Sequence, residues 1–239
     1  MFLNLLNIIY IFLFFIFTIL FFSGSPILLL IFRITKKGKL DDIFRLINQT
    51  YGYYLIKTFK PFIKLNITGI ENIIKNKAYI IVYNHFSEFD VVFSTLIPIK
   101  NQMILARDWV FKVIPFGTYM RMANYINIDK TPFEILSIKA EKYLKRNVSF
   151  QIYPEGHRSK NGILHRFRKG AFLLSCKHNI PILPVCMFNT NDFFSPCFPF
   201  FNPAKIYIKI LKPVYPESFN YKEREFRKYV KELYIKEFE

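Results

Sequence analysis

The sequence predicts an α/β fold, with a central and largely parallel sheet flanked by helices, behind an N-terminal membrane helix or helical hairpin. From residue 63 onward, short runs rich in β-branched and aromatic residues alternate with helical runs, which is the pattern of a parallel sheet covered by helices. No side chain from residue 1 to residue 32 is charged. The composition is 52% hydrophobic and 21% charged, which excludes disorder as the main state of the chain.

The N-terminal apolar segment has the length of a membrane helix. Residues 2–22 would form a helix of roughly 31 Å, close to the thickness of a bilayer hydrocarbon core. Residues 23–26, Ser-Gly-Ser-Pro, are expected to interrupt this helix because Gly and Pro break helices and Ser competes for backbone hydrogen bonds. Two structures fit: a single crossing, or a hairpin in one leaflet with residues 23–26 at its tip.

The charges that follow predict the orientation of the chain. Arg33 and three lysines at positions 36, 37 and 39 come directly after the apolar segment. Such a cluster favours the cytoplasmic side for itself and for the domain behind it. A cleaved signal peptide is disfavoured, since no positive region precedes the apolar run and no A-x-A cleavage site follows. We divide the chain into a membrane segment, residues 1–39, and one domain, residues 40–239.

The elements of this domain follow from hydrophobic periodicity and from breaker residues. The amphipathic helix over 131–146 is predicted to begin at Thr131-Pro132 with Glu134 completing the cap, and Pro115 is predicted to end a short helix. Predicted helices cover residues 40–59, 90–99, 109–114, 131–146, 170–178 and 221–238. Predicted strands cover residues 63–68, 78–83, 103–106, 125–128, 148–153, 182–188 and 206–210.

The charge balance suggests an anionic partner. Lys and Arg number 34 against 17 Asp and Glu, which gives a formal net charge of +17. A basic surface suits either an anionic membrane or a nucleic acid. We expect no nucleic acid, because the sequence contains no recognisable reading module or stacking platform. The three cysteines, Cys176, Cys186 and Cys197, have no C-x-x-C spacing and are expected to be free thiols without a metal.

The first candidate site follows the strand at 78–83. His85 lies where a strand turns into a helix, and a histidine there can act as the general base that removes a proton from an alcohol. Asp90 could orient its ring, although residues five apart do not meet on a regular helix. They can meet if His85 lies in the turn and Asp90 in the first turns of the helix.

No nucleophile of the protein accompanies this pair. The sequence has no G-x-S-x-G motif, and none of its cysteines lies in a turn that would activate a thiol. If His85 is a base, the nucleophile therefore belongs to the substrate. This pattern favours transfer onto an alcohol over hydrolysis through an acyl-enzyme.

The second candidate site follows the strand at 148–153. Pro154 and Gly156 predict a tight turn whose N–H groups can bind an anion. Arg158 has the planar fork that suits phosphate. Glu155 could orient that arginine or hold a substrate hydroxyl. The basic residues over 165–170 are explained equally well as a solvated face.

Four sequence blocks, in order, resemble those of the PlsC-type glycerolipid acyltransferases, which acylate lysophosphatidic acid. Residues 84–90 match N-H-x-x-x-x-D, and residues 124–130 resemble G-x-x-x-I-D-R. Residues 153–159 resemble F-P-E-G-T-R-S, and the run 167–172 resembles the F-K-K-G-A-F that follows it. Residues 180–185 resemble the hydrophobic V-P-V block. The resemblance covers residues 60–190.

The resemblance implies both a reaction and a set of site residues. His85 would deprotonate the acceptor hydroxyl for attack on an acyl thioester, with Asp90 orienting it. The phosphate and glycerol site would be formed by Glu155, Gly156, Arg158, Lys130 and, by a looser match, Arg107. The acceptor would be 1-acylglycerol-3-phosphate, the donor acyl-coenzyme A or acyl carrier protein, and the product phosphatidic acid, without metal or cofactor. Another lysolipid or amino-acid lipid acceptor, or a non-catalytic lipid-binding role, remains the alternative.

Three residues depart from the family pattern. Lys130 replaces an arginine and loses its bidentate fork. Asn124 replaces a glycine, which Asn can do where the backbone is left-handed. His157 replaces a threonine and adds a titratable group beside the expected phosphate. These departures leave the reaction class intact and leave the acceptor headgroup open.

Overall fold

The computed structural model describes residues 2–36, 39–159, 162–195, 197 and 200–239. The helices are α1 (Phe2–Lys36), α2 (Leu40–Thr58), α3 (Asp90–Phe93), α4 (Phe116–Met122), α5 (Phe133–Leu144), α6 (Gly170–His178), α7 (Thr190–Phe193) and α8 (Glu223–Phe238). The strands are β1 (Ile63–Thr68), β2 (Ile80–Tyr83), β3 (Gln102–Ala106), β4 (Ile126–Asn127), β5 (Ser149–Ile152), β6 (Ile182–Phe188) and β7 (Ala204–Ile210). Short 3-10 helices cover Ile70–Asn72, Ser94–Leu96, Asp108–Lys112 and Pro216–Phe219.

The strands form one sheet in the order β1-β7-β6-β2-β5-β3-β4. Strands β6, β2, β5, β3 and β4 run parallel, while β7 is antiparallel to β6 and β1 is parallel to β7. The predicted α/β fold with a largely parallel sheet is therefore confirmed. The carboxyl ends of the five parallel strands lie at one edge of the sheet, where binding sites of α/β folds gather.

Helices cover both faces of the sheet, which explains the hydrophobic strands. All four side chains of β2 are buried, and they alternate between the two faces: Ile81 and Tyr83 join one core, Ile80 and Val82 the other. The first core contains residues of α2 and inward side chains of α1. The second core contains residues of α5, α6 and α8.

The predicted break at residues 23–26, and with it the hairpin tip there, is wrong: α1 is one continuous helix with Pro26 inside it. Proline at position 26 removes the hydrogen bond to the carbonyl of Phe22. That carbonyl instead accepts from the Ser25 hydroxyl at 2.7 Å and from the Tyr119 hydroxyl at 3.4 Å. The orphaned acceptor is thus satisfied by neighbouring hydroxyls, and the helix continues.

The two sides of α1 have different surroundings. Asn7, Thr18 and Ser25 all face the domain and are buried, with Asn7 exchanging two hydrogen bonds with the backbone of Phe201. The opposite side is apolar and exposed along its length. Exposed side chains there include Leu5, Ile8, Phe12, Phe15, Ile19, Leu20, Ile27, Leu30, Ile31 and Ile34. By length and composition, the part Leu5–Thr35 could cross a membrane.

Several helices begin, end or change type at residues other than those predicted. The helix expected over 90–99 is α3 followed by a 3-10 turn, Ser94–Leu96. Helix α5 begins at Phe133, and its cap position, Pro132, makes no side-chain hydrogen bond, so the expected cap at Thr131 does not form. The short helix expected over 109–114 is the 3-10 helix Asp108–Lys112, which ends before Pro115, and Pro115 instead precedes α4, a helix that was not predicted.

Candidate active site

His85 and Asp90 meet across the turn that joins β2 to α3. His85 Nδ1 lies 2.9 Å from Asp90 Oδ2. The same oxygen accepts the backbone N–H groups of Phe86 at 2.7 Å and Ser87 at 2.8 Å. Asp90 thus closes the turn around its own carboxylate, and the turn brings together two residues that a regular helix would separate.

These contacts determine how the imidazole is presented. Because Asp90 Oδ2 already accepts two backbone N–H groups, we assign the ring proton of His85 to Nδ1, which leaves Nε2 with a free lone pair. The Asp90 side chain is fully buried, whereas 21% of the His85 side chain is exposed. The ring therefore stands between a buried carboxylate and the surface, an arrangement suited to a general base.

Neighbouring strands hold this turn in place. The Asn84 side chain exchanges hydrogen bonds of 2.8 Å with the N–H and carbonyl of Met187 on β6. The ring of Tyr153, which follows β5, lies 4.3 Å from the His85 ring between centroids. Burial, and then the charge of Asp90, raise the pKa of Tyr153, so the phenol beside the imidazole stays protonated.

Glu155 is a buried support for the His85 turn. Its Oε1 accepts the backbone N–H of His85 and its Oε2 that of His165, both at 2.8 Å. Burial raises the pKa of this carboxyl, although both hydrogen bonds oppose the shift. The expectation that Glu155 could orient Arg158 is wrong, because Arg158 forms its ion pair with Glu88.

Gly156 occupies the conformation that its turn was expected to need. Its φ of +76° lies in the left-handed region, and a Cβ here would lie 2.7 Å from Nε of Arg168. The guanidinium of Arg168 therefore packs directly over the glycine backbone. Arg158, two residues on, keeps 44% of its side chain exposed. Two guanidinium groups thus flank the turn that follows β5.

Arg107 and Lys130 lie at the same sheet edge but farther along it. They follow β3 and β4, the second and third strands from β2, and strand spacing of about 4.8 Å separates their loops from the His85 loop by about 10 and 14 Å. Arg107 pairs with Asp129 at 3.0 Å and Lys130 with Asp108 at 2.7 Å. Hydrogen bonds from Lys112 and then from Lys130 hold the pKa of the Asp108 carboxyl well below its usual range.

Comparison with known proteins bears on this arrangement. A family model described as Acyltransferase matches residues 64–188, more than half of the chain. The chain belongs to the acyltransferase family. The crystal structure of the 1-acyl-sn-glycerophosphate acyltransferase PlsC from Thermotoga maritima has a similar fold, with a TM-score of 0.72 and 26% identity over 97% of this chain and 92% of that chain.

Two curated relatives of this chain are both named 1-acyl-sn-glycerol-3-phosphate acyltransferase. The protein from Saccharomyces cerevisiae is 30% identical over 173 residues, 70% of this chain. The protein from Borreliella burgdorferi is 28% identical over 151 residues, 62% of this chain. The chain spans 56% and 60% of the length of these relatives, respectively. The family resemblance expected from the four blocks is confirmed.

The cysteines of this acyltransferase-family chain are free, as expected. Burial raises the pKa of the thiols of Cys176 and Cys186, so neither is an activated nucleophile. Among the described residues, no three His, Cys, Asp or Glu side chains cluster as metal ligands. Asn124 has a φ of +55°, the left-handed backbone that its replacement of a glycine requires.

Sequence reasoning gave no role to three residues that shape the site. Asn84 and Tyr153 lie inside the motif blocks, directly before the turns, where position alone could have drawn attention to them. Arg168 lies in the basic run that was also explained as a solvated face. Its contact with Gly156 joins residues twelve positions apart, and no local pattern predicts such a contact.

Proposed function

We propose that this chain is a membrane-associated O-acyltransferase that moves a fatty acyl chain from an acyl thioester to the sn-2 hydroxyl of 1-acylglycerol-3-phosphate. The product is phosphatidic acid. The observation that carries the proposal is the contact of 2.9 Å between His85 Nδ1 and the buried Asp90 carboxylate, which leaves Nε2 free to act as a base. The names of the Saccharomyces cerevisiae and Borreliella burgdorferi relatives support this acceptor.

In the proposed reaction, His85 Nε2 takes the proton of the acceptor hydroxyl while that oxygen attacks the thioester carbonyl carbon. Asp90 stabilises the imidazolium through Nδ1. The tetrahedral intermediate then expels the thiolate sulfur, which takes the proton from Nε2 and leaves as a thiol. One ester bond forms and one thioester bond breaks, and the histidine returns to its neutral form. The chemistry needs no metal or organic cofactor, because the acyl donor is a substrate.

The acceptor phosphate would bind at the turn after β5. Arg158 and Arg168 supply guanidinium groups there, and Gly156, which has no Cβ, lets the Arg168 guanidinium pack against the turn. Arg158 would exchange its ion pair with Glu88 for the phosphate. Lys130 and Arg107 would contribute positive charge from the neighbouring loops. Coenzyme A and acyl carrier protein both remain donors in this proposal, since each presents an acyl thioester.

Membrane attachment would come from the exposed apolar side of α1. The opposite side of α1 packs against the domain from residue 6 to residue 32, about 39 Å of helix. If α1 crossed a bilayer, the charged helix α2 that packs beside it would enter the hydrocarbon. We therefore favour a helix that lies in one leaflet. The basic residues after it support the cytoplasmic face.

Acyl transfer by the purified, detergent-solubilised protein tests the reaction. Labelled acyl-coenzyme A, and separately acyl carrier protein, would be supplied with lysophosphatidic acid and with lysolipids of larger headgroup. We expect phosphatidic acid as the product, and a loss of at least ~10²-fold in kcat for His85→Ala, the range of general-base contributions. His178→Gln, on α6, is the matched control because this histidine bonds to Ser137 away from the turn.

Each outcome of this assay has one meaning. Product from another lysolipid alone would keep the reaction class and replace the acceptor, with Lys130 and His157 as the residues to examine. Activity that survives His85→Ala would refute the base assignment. No transfer with either donor would favour the alternative of a lipid-binding protein without catalysis.

A further inference from the structure

An apolar projection stands between β3 and α4, outside the candidate active site. Trp109 is 60% exposed, Val113 39% and Ile114 87%. Soluble surfaces tolerate single exposed apolar residues, but three of them within six positions, including a tryptophan, form a contiguous apolar feature. We call the feature formed by Trp109, Val113 and Ile114 the 109–114 projection.

The backbone of the projection is fixed by contacts between Phe111 and α4, which we call the base of the projection. Phe111, between its members, is buried, and its carbonyl accepts from the Arg121 guanidinium at 2.5 Å. A Cβ on Gly117 would lie 2.0 Å from the same carbonyl oxygen, so only glycine allows α4 to approach this closely. The N–H of Gly117 also donates to the Val113 carbonyl at 2.7 Å. Exposure of the apolar side chains is thus imposed by ordered backbone contacts.

The projection adjoins α1. Phe116 and Tyr119, on α4, lie 5.3 Å and 4.5 Å from the Phe22 ring between centroids, and the Tyr119 hydroxyl contacts Ser25. The exposed apolar side of α1 continues on both sides of this contact, with Ile19 63% and Ile27 65% exposed. The projection therefore borders the surface that the proposed function assigns to lipid.

The charges around the projection suit an anionic lipid surface. Four cations, Arg107, Lys112, Arg121 and Lys130, lie around it against two acids: Asp108, which pairs with Lys112 and Lys130, and Asp129, which pairs with Arg107. Tryptophan prefers the boundary between headgroups and acyl chains, because its ring is apolar and its N–H is polar. Cations beside it would meet lipid phosphates.

From these observations we infer that the 109–114 projection is a second membrane-inserting element, which enters the headgroup and upper acyl region of an anionic bilayer beside α1. This inference rests on the proposed membrane attachment through α1. It adds that the loop directly after Arg107 is held in the lipid surface. The sheet edge that carries the candidate site would then be tethered to the bilayer at two points.

Trp109 makes the inference directly measurable, since it is the only tryptophan in the chain. The full-length protein would be reconstituted into vesicles of phosphatidylcholine and phosphatidylglycerol, with acyl chains either plain or brominated. We expect Trp109 emission at shorter wavelength than in a water-exposed indole, loss of emission with brominated chains, and protection from iodide in the water. Flotation of the vesicles reports attachment through α1 in the same samples.

Ile114→Ser supplies the matched perturbation, because it removes the most exposed side chain of the projection without touching its buried base. We expect weaker quenching of Trp109 by brominated chains and stronger quenching by iodide. Ile70→Ser is the control: Ile70 is 47% exposed in the 3-10 helix Ile70–Asn72, which follows β1 at the opposite edge of the sheet from β3 and β4. It should leave both quenching curves unchanged.

The alternatives give different results. If the protein floats while Trp109 is quenched by iodide and not by bromine, the projection does not insert into the bilayer, although attachment through α1 still holds. If Trp109 is shielded from both quenchers to a degree that depends on the protein-to-lipid ratio, it lies in a contact between copies of the chain, and insertion of the projection is refuted. Protein that does not float would refute both the insertion of the projection and the attachment through α1. Acyl transfer in the same vesicles reports separately on the proposed reaction.

Discussion

Replacing Asp90 with asparagine separates the charge of the proposed dyad from its geometry. An asparagine carbonyl in the place of Oδ2 can still accept from His85 Nδ1 and from the two backbone N–H groups. The amide nitrogen would then occupy the place of Oδ1, which has no hydrogen-bond partner within the described part of the chain. The turn should therefore form, with the negative charge removed.

The magnitude follows from the contact. Unit charges about 4 Å apart interact by about 4 kcal/mol at an effective dielectric constant near 20. The imidazolium forms only as the proton moves, so this stabilisation is lost mainly from the transition state. A loss of about 4 kcal/mol corresponds to ~10³-fold in rate. A buried unpaired amide costs about 1–3 kcal/mol of folding stability at most.

The assay is steady-state transfer to lysophosphatidic acid, with urea unfolding of the same preparation. We expect Asp90→Asn to lower kcat by ~10³-fold with little change in acceptor KM, because the Asp90 side chain is fully buried and cannot touch substrate. Asp192→Asn, exposed on α7, is the control and should change neither quantity. A kcat within a few-fold of wild type would refute the dyad.

Three further variants probe the surroundings of the site and the fold. Glu155→Gln turns one accepting oxygen into a donor opposite a backbone N–H; steady-state assays should show kcat lowered ~10-fold or more, with acceptor KM little changed. Gly156→Ala forces a left-handed alanine against the Arg168 guanidinium; it should lose about 1–2 kcal/mol of stability in urea and raise acceptor KM. Burial raises the pKa of Asp41, but the hydrogen bonds and charges of Arg146 and Arg45 outweigh this and hold that pKa well below its usual range. Stability from this pair is present above about pH 4 and lost as the pH falls, so Arg146→Gln should flatten that loss in urea unfolding at a series of pH values.

Each of these variants has a matched control. Glu225→Gln changes an exposed carboxyl on α8, and Arg224→Gln an exposed guanidinium on the same helix. Gly162→Ala imposes the same left-handed strain at a φ of +71°, but its new Cβ would meet no described atom within 4 Å. An acceptor KM raised equally by both glycine variants would remove the role assigned to Arg168. If Glu155→Gln raised the acceptor KM and left kcat unchanged, Glu155 would be assigned to direct substrate binding.

Local chemistry explains why the alternation of strands and helices could be predicted. Strand β6 and helix α6 have the predicted bounds. Strand β6 is a continuous apolar run between turn residues, and α6 is a helical run that ends at Asn179, so each is marked by residues next to it in the sequence. The His85–Asp90 pair was also within reach, since both residues belong to one turn. Neither depends on distant parts of the chain.

Two of the errors, by contrast, involve contacts with distant parts of the chain. Pro26 breaks a helix in isolation, but the hydroxyls of Ser25 and of the distant Tyr119 satisfy the carbonyl that it leaves free. Glu155 was expected to orient Arg158, yet it accepts backbone N–H groups, one of them 70 residues away, and Arg158 pairs with Glu88. Each outcome depends in part on a residue far away along the sequence, Tyr119 in the first case and His85 in the second.

The sequence by itself determined the fold class, the family and the turn that carries His85 and Asp90, because short-range periodicity, turn chemistry and ordered motif blocks encode them. Only the tertiary structure decided which polar groups are buried on backbone N–H groups and which stay exposed, and that α1 presents its polar residues to the domain and its apolar side outward. The physical reason is that burial and hydrogen-bond satisfaction are properties of the packed chain. A carboxylate or a proline acquires its role from the atoms that packing brings to it.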